Sequence, residues 1–165
     1  MITADIPSAL FASFFERSVR VLFNWNRFRA EGWRVSLSVV TDRGELSEWY
    51  VPWYLGKGKG EVSYSAPDAR PLSLTDIPES LPLLGESRVK LILSLSESYK
   101  VFRPPLQMFA PVYALGSNRF LLLDGCHRMA ALMGSVVSFK LMTFTVFGPM
   151  DKSVLPDLQH WIKGE

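Results

Sequence analysis

The stretch LLLDGCHRMAAL, residues 121–132, carries the signals on which the fold prediction depends. Its three leucines are typical of a buried strand, and Asp124 and Gly125 predict a tight turn, since glycine readily adopts positive φ angles. The apolar pattern after Cys126 predicts a helix, which Gly134 would end because glycine commonly terminates helices. The sequence therefore predicts a strand, a turn and a helix start within this stretch.

The segments on either side of this motif predict further strands and a helix. Residues 86–100, ESRVKLILSLSESYK, have the apolar spacing of a helix, and PLSLTDIPES at 71–80 predicts a short strand and a turn. RPPLQMFAPVYAL and RFLLLD, within 103–124, predict a hairpin that leads into the motif. SFKLMTFTVF at 138–147 alternates as another strand, and SVLPDLQHWIKG at 153–164 predicts a short docking helix.

The first third of the chain predicts a helix followed by a hairpin. Residues 8–30 contain neither Gly nor Pro and repeat apolar residues at helical spacing, so they predict one long helix whose solvated basic side includes Arg20. WRVSLSVV and LSEWYVPWYL predict two strands joined by a tight turn at Gly44, with Pro52 marking an edge or a bulge. GKGKGE at 56–61 predicts a flexible surface loop, because it lacks the spacing of a phosphate-binding loop.

These elements together predict an α+β fold with a small mixed sheet and helices. Residues 1–65 would form an N-terminal extension of one helix and one hairpin, and residues 66–165 would form a second unit. The boundary is placed in the Gly-, Ser- and Pro-containing connector between them.

Composition and charge exclude several classes of protein. Hydrophobic residues make up 48% of the chain and charged residues 21%, which is typical of a folded protein and not of a disordered one. The net charge of +2 provides no strong field for nucleic acid or anionic lipid. A single cysteine cannot form an internal disulfide, and no apolar run reaches membrane-spanning length, so we expect a cytoplasmic protein without a membrane partner.

The predicted helix start has the chemistry of an anion site. The free backbone N–H groups of a first helical turn and the helix dipole favour an anion, and Arg128 can bind phosphate oxygens through two parallel hydrogen bonds. His127 can donate to the same oxygens or carry a proton near neutral pH. Gly125 would let a ligand approach the backbone closely. The alternative is a polar helix start that contacts only solvent or carbonyl groups.

Two further residues of the motif have two interpretations each. The helix dipole and Arg128 would lower the pKa of Cys126 and make it a nucleophile; alternatively, Cys126 is a small buried apolar residue. Asp124 would hold Mg²⁺, bind a ribose hydroxyl or accept a proton from a substrate hydroxyl; alternatively, it caps the following helix.

The order PLSLTDIP, helix, RPPLQMF and FLLLDGCHRMAAL, followed by an alternating strand, resembles the ParB/sulfiredoxin superfamily over residues 70–147. In that superfamily a Gly-x-His-Arg or Gly-x-Arg-Arg helix start holds nucleotide phosphates. The resemblance implies that residues 66–165 form a nucleotide-binding domain, and that Lys100 and Arg103 are further phosphate contacts unless they are ordinary surface charges. The implied contacts within the motif are Gly125, Cys126, His127 and Arg128.

Three branches of the superfamily imply different activities. Sulfiredoxins share the Gly-Cys-His-Arg element of residues 125–128 and use its cysteine in ATP-dependent repair of sulfinic acids, but they have glycine where this chain has Asp124. Kinases of free amino acids with this fold carry an Asp-Gly-x-x-Arg element, with the acid near the reacting hydroxyl. ParB-like partition proteins bind CTP and use a helix-turn-helix for DNA; too few residues follow 147 for that domain, so nucleic acid is the less favoured partner.

Three hypotheses follow from these implications. The first is a phosphoryl-transfer enzyme, a kinase or an ATPase, that uses ATP or ADP, Mg²⁺ and an unidentified small-molecule or protein acceptor, with Asp124 and His127 as catalytic residues. The second is a thiol enzyme in which Cys126 is the nucleophile. The third is a non-catalytic, nucleotide-gated module whose aromatic segment from Phe11 to Tyr54 binds a protein or a nucleic acid.

Overall fold

The computed structural model describes residues 3–58 and 60–162. Within these residues the chain forms an eight-stranded mixed sheet and five α-helices, which confirms the predicted α+β class. The strands are β1 (Thr3–Ile6), β2 (Arg34–Val40), β3 (Trp49–Leu55), β4 (Glu61–Val62), β5 (Arg70–Ser73), β6 (Leu106–Gly116), β7 (Arg119–Leu122) and β8 (Phe139–Phe147). The helices are α1 (Ser8–Phe15), α2 (Trp25–Glu31), α3 (Ile77–Ser80), α4 (Glu86–Tyr99) and α5 (Cys126–Met133).

The sheet combines parallel and antiparallel neighbours. Its strand order is β1-β2-β8-β6-β7-β3-β4, and β5 also pairs with β3. β6 and β8 run parallel, and so do β3 and β7, whose register places Tyr50 opposite Leu121. The other pairs are antiparallel. With this register the end of β7 at Leu122 lies beside the middle of β3, and β3 continues past it to Leu55.

Each face of the sheet is covered by its own hydrophobic core. The helices α3, α4 and α5 cover one face, around buried residues that include Ile92 and Met129. The helices α1 and α2 and the C-terminal segment cover the other face, around residues that include Phe11, Phe28 and Leu158. The central strands are therefore apolar on both sides, which explains the continuous apolar run at the end of β7.

The single long helix predicted for residues 8–30 is wrong. The segment forms α1 and α2 with an irregular stretch between them. The rings of Phe11 and Phe28 lie 5.5 Å apart and pack in the same core, as does Phe23. A continuous helix would separate Phe11 from Phe28 by about 25 Å. Burial of these aromatic rings in one cluster therefore requires the chain to turn back on itself.

The predicted hairpin between β2 and β3 is also wrong. β2 pairs with β1 and β8, whereas β3 pairs with β4, β5 and β7. In place of a tight turn at Gly44, the side chain of Asp42 accepts a hydrogen bond from the Gly44 N–H and begins a 3-10 helix, Arg43–Leu46. The Arg43 guanidinium donates to the carbonyl oxygens of Leu132, Ser135 and Val137, which fixes this turn to the loop after α5.

The elements around the motif form as predicted. α4 covers most of the expected helix, and β6 and β7 form a hairpin whose turn at residues 116–118 has positive φ angles. α5 ends before Gly134, and β8 follows over 139–147. These segments place the motif at the junction of β7 and α5.

The predicted division between residues 1–65 and 66–165 stays a prediction, and strands of both segments lie in one sheet. The expected C-terminal helix is a short 3-10 helix, Pro156–His160. Residues 163–164 of that expected helix, and Lys59 of the glycine-rich loop, lie outside the described residues. Among the helices described, none is both long enough and apolar enough to cross a membrane.

Candidate functional site

The motif folds as a strand, a turn and a helix start. β7 ends at Leu122, and Gly125 adopts a left-handed backbone with φ 77° directly before α5. The positive φ angle favours glycine at this position, and a Cβ atom there would lie 3.1 Å from the Nη2 atom of Arg128. The Met129 N–H donates to the Gly125 carbonyl at 3.0 Å and begins the helical hydrogen bonds. The N–H groups of residues 126–128 precede that bond and have no intrahelical acceptor.

A cavity of about 590 Å³ opens at this helix start. Pro52 and Trp53 of β3 line it together with Asp124, because the parallel pairing of β3 and β7 places the middle of β3 beside the residues that follow β7. An edge strand or a bulge was predicted at Pro52, and the irregular pairing of β3 with β5 between Val51 and Tyr54 agrees with the bulge. Two strands that are distant in sequence therefore form one wall of the cavity.

Three arginines from separate segments also line the cavity. Arg20 lies in the irregular stretch between α1 and α2, Arg88 lies on α4 and Arg128 lies on α5. The guanidinium carbon of Arg128 lies 5.7 Å from the centre of the Phe109 ring. Among the described residues, neither Arg20 nor Arg128 has an ion-pair partner. Asp124 is the one carboxylate among the described residues of the cavity wall, so positive charge predominates there.

Arg88 is held in place by three partners. Its Nε and Nη2 atoms donate to the two carboxylate oxygens of Glu61 at 2.8 and 3.0 Å, a paired geometry that arginine and carboxylate favour. Its guanidinium carbon lies 4.1 Å from the Trp53 ring centre, and the Trp53 and His127 ring centres lie 5.0 Å apart. Its Nη1 atom lies 3.2 Å from Nε2 of His127. Glu61 therefore offsets the charge of Arg88 and orients it toward the histidine.

The contact with Arg88 determines which nitrogen of His127 carries the ring proton. A guanidinium has only donors, so Nε2 of His127 accepts this hydrogen bond and Nδ1 is the protonated nitrogen. Burial and the Arg88 charge lower the pKa of His127, an effect that Glu61 partly opposes. His127 is thus a neutral ring at pH 7 with one available donor, Nδ1–H. This arrangement favours the predicted donor role of His127 over a role as a proton carrier.

Cys126 lines the same cavity but is 9% exposed. Burial, the main cause, raises the pKa of its thiol to about 12; the Asp124 charge acts in the same direction, and Arg88 and Arg128 oppose both. The predicted lowering of this pKa does not occur, because loss of hydration outweighs the favourable charges. The structure agrees with the alternative interpretation, in which Cys126 packs as a small apolar residue of the core.

Asp124 lies half-buried in the cavity wall. Gly125 occupies the N-cap position of α5, and no side chain caps it, so the capping interpretation of Asp124 is wrong. Within residues 3–58 and 60–162, no group of three or more His, Cys, Asp or Glu side chains could hold a metal ion. A single carboxylate beside a phosphate site nevertheless fits Mg²⁺, which proteins commonly bind through one or two carboxylates and the substrate's phosphates.

The other two predicted phosphate contacts do not line the cavity at the start of α5. Lys100 follows α4, pairs with Glu97 at 2.7 Å and lines a different cavity. Arg103 lines a further cavity, which borders the first one and shares Arg128 with it. The structure thus places Lys100 outside the proposed phosphate cavity and Arg103 in a neighbouring one.

Four residues near the site were not predicted to belong to it. Trp53 and Glu61 were not assigned a role, Arg88 was one of many helical residues, and Arg20 was expected on a solvated helix face. The one local signal was Pro52, which predicted irregular backbone next to Trp53. The rest depends on which strands pair and which helices pack together, and the sequence has no local sign of either.

The resemblance to the ParB/sulfiredoxin superfamily stays a prediction. The chain matches no protein-family model, no curated protein and no solved structure.

Proposed function

We propose that this protein binds the phosphate groups of ATP or ADP in the cavity at the start of α5 and transfers a phosphoryl group there. The observation that supports this proposal is the convergence of Arg20, Arg88, Arg128 and Asp124 on one cavity, beside a glycine turn and a helix start. This set combines the positive charge, the backbone donors and the carboxylate that phosphoryl transfer uses. The volume of about 590 Å³ is typical of a small-molecule site.

The phosphate oxygens would be bound by three kinds of donor. Arg20 and Arg128 supply positive charge without an ion-pair partner among the described residues. The backbone N–H groups of the first turn of α5 add the favourable potential of the helix dipole. The Nδ1–H of His127 adds a neutral donor, which Arg88 and Glu61 keep in one orientation.

Asp124 is the residue that would act on the acceptor. The acceptor oxygen forms a bond to the terminal phosphorus, the bond from that phosphorus to the bridging oxygen breaks, and the acceptor's proton passes to Asp124. Alternatively, Asp124 would help to hold Mg²⁺, which supplies charge neutralisation for the phosphate oxygens. In either role the carboxylate must face the ligand, and its position in the cavity wall supports this.

The two other hypotheses differ in how well the geometry supports them. A sulfiredoxin-like thiol enzyme needs a reactive thiolate, and the burial and raised pKa of Cys126 argue against it. A non-catalytic binding module is favoured by exposed apolar side chains in the segment from Phe11 to Tyr54, namely Phe14 (56%) and Leu22 (67%). Such a module would bind nucleotide without turnover and would dock a partner through this segment.

A thermal-shift panel with ATP, ADP and inorganic phosphate, each with and without Mg²⁺, tests the binding step. A nucleotide at 100 times its Kd should raise the Tm by about 5–10 °C for a chain of this length. Arg128→Gln and Arg20→Gln should each reduce the shift. Arg17→Gln is the matched control, because Arg17 is exposed and lies outside the cavity, and it should keep the full shift.

A phosphate-release assay on any nucleotide that binds then tests the chemistry. Asp124→Asn should abolish turnover and retain binding, whereas Cys126→Ala should retain both. An unchanged Tm with every nucleotide at millimolar concentration, or an equal shift in the wild type and Arg128→Gln, would refute the proposed site. Binding without any turnover in the wild type would favour the non-catalytic module.

A further inference from the structure

A second cavity, of about 530 Å³, borders the first one. Leu95 and Arg128 line both cavities, so a ligand that contacts Arg128 can extend from one into the other. The helix α4 contributes to both walls, with Arg88 in the first cavity and Tyr99 in the second. The two cavities therefore adjoin along one side of α4.

The walls of the two cavities differ in their chemistry. The first carries arginines and an aspartate, whereas the second is mainly apolar and includes the rings of Tyr99, Phe102 and Phe109. Phe102 and Phe109 are each 55% exposed, although both are large and apolar, so they present ring surface to a ligand. The Tyr99 hydroxyl donates to the Arg128 carbonyl at 3.0 Å, so its proton is already used. Among the described residues that line the second cavity there is no carboxylate.

We propose that the second cavity holds the nucleobase of the nucleotide whose phosphates lie in the first cavity, an inference that rests on the function proposed above. A nucleobase is planar, and its faces stack on aromatic side chains whichever hydrogen-bonding groups lie on its edges. Ser98, Arg103 and Gln107 line the same cavity and can form hydrogen bonds with a base edge. Arg128, at the boundary and beside the Phe109 ring, is placed to contact the phosphates that follow the base.

Isothermal titration with ATP and with inorganic tripolyphosphate separates the contribution of the base from that of the phosphates. Phe102→Ala should weaken ATP binding about tenfold, the effect of losing one base stack, and should leave the Kd for tripolyphosphate unchanged. Phe102→Tyr keeps the ring and should restore ATP affinity. Val101→Ala is the matched control, since Val101 is the adjacent residue, is 84% exposed and lies outside the cavity.

Three results would overturn the base assignment and leave the proposed phosphate site intact. The first is that the wild type binds ATP no more tightly than tripolyphosphate. The second is that Phe102→Ala binds ATP as tightly as the wild type. The third is that Phe102→Ala loses affinity for both ligands equally. Failure of the wild type to bind either ligand is a different outcome, because it would overturn the proposed function itself. The Tm of each variant without ligand shows whether it folds.

Discussion

Alkylation of Cys126 by iodoacetamide should be strongly suppressed in the folded protein. The chain has one cysteine, so the reaction reports on this side chain alone. Burial and the Asp124 charge raise the pKa of the thiol from 9.0 to about 12. At neutral pH the folded protein should hence hold about one thousandth of the thiolate of an ordinary cysteine. Because the thiolate is the reactive form, and the higher nucleophilicity of a less acidic thiolate offsets only part of this loss, the rate constant should fall by more than about tenfold.

The measurement compares the rate of mass increase in the native protein with the rate in concentrated urea, where the thiol is exposed. Asp124→Asn removes one of the two causes of the raised pKa, so it should speed the native reaction and leave the reaction in urea unchanged. A native rate within about tenfold of the rate in urea would contradict the buried, neutral thiol and would restore the thiol-enzyme hypothesis.

Two further predictions concern packing and pH. Gly148→Ala should lower the free energy of unfolding by about 1–3 kcal/mol, the usual cost of overpacking. An added Cβ atom would overlap the Tyr113 hydroxyl and lie 2.8 Å from Cε3 of Trp33, whereas Gly85→Ala, with no atom within 4 Å of the new Cβ, is the control for urea denaturation. Burial raises the pKa of Asp157 above its ordinary 3.8, so its contribution to stability is present below that pH and is lost as the pH rises through the raised pKa. The wild type should therefore lose stability relative to Asp157→Asn between acidic and neutral pH, and parallel pH profiles of the two proteins would contradict this.

The elements near the motif could be predicted because their signals lie within a few residues. A run of leucines, a glycine with positive φ and a helical apolar pattern predict β7, the turn at Gly125 and α5 without reference to any other segment. The β6–β7 hairpin follows from alternation and from the small residues of its turn. The structure contains all of these elements; β7 and α5 lie within two residues of the predicted bounds, and β6 begins three residues after its predicted start.

The arrangement of the first 55 residues could not be predicted, because it depends on partners that are distant in the sequence. Apolar residues recur at helical spacing throughout residues 8–30. Burial of Phe11 and Phe28 in one core nevertheless stabilises the fold more than a continuous helix would. β2 and β3 both alternate as strands of a hairpin do, but each pairs with a strand of the second half of the chain. Alternation of apolar and polar residues predicts a strand but does not indicate which strand it pairs with.

The site was also predicted only in part, because local sequence signals identify the residues of the motif but not those that distant segments contribute. Gly125, His127 and Arg128 all line the cavity, since a glycine turn before a helix places its neighbours at the helix start. The state of Cys126 was predicted wrongly, because its pKa depends on how completely other segments exclude water from the thiol. Arg20 and Trp53 line the cavity because of long-range packing and strand pairing, which local sequence patterns do not predict.

The cavity at the start of α5 is lined by residues from the layers on both faces of the sheet. Arg20 belongs to the layer built on Phe11 and Phe28, and Arg128 belongs to the layer built on Ile92 and the motif helix. An anion bound by both guanidinium groups would contact both layers at the edge of the sheet. Neither layer could then unfold without breaking contacts to the ligand. Occupancy of the cavity would in this way make the two halves of the protein unfold as one.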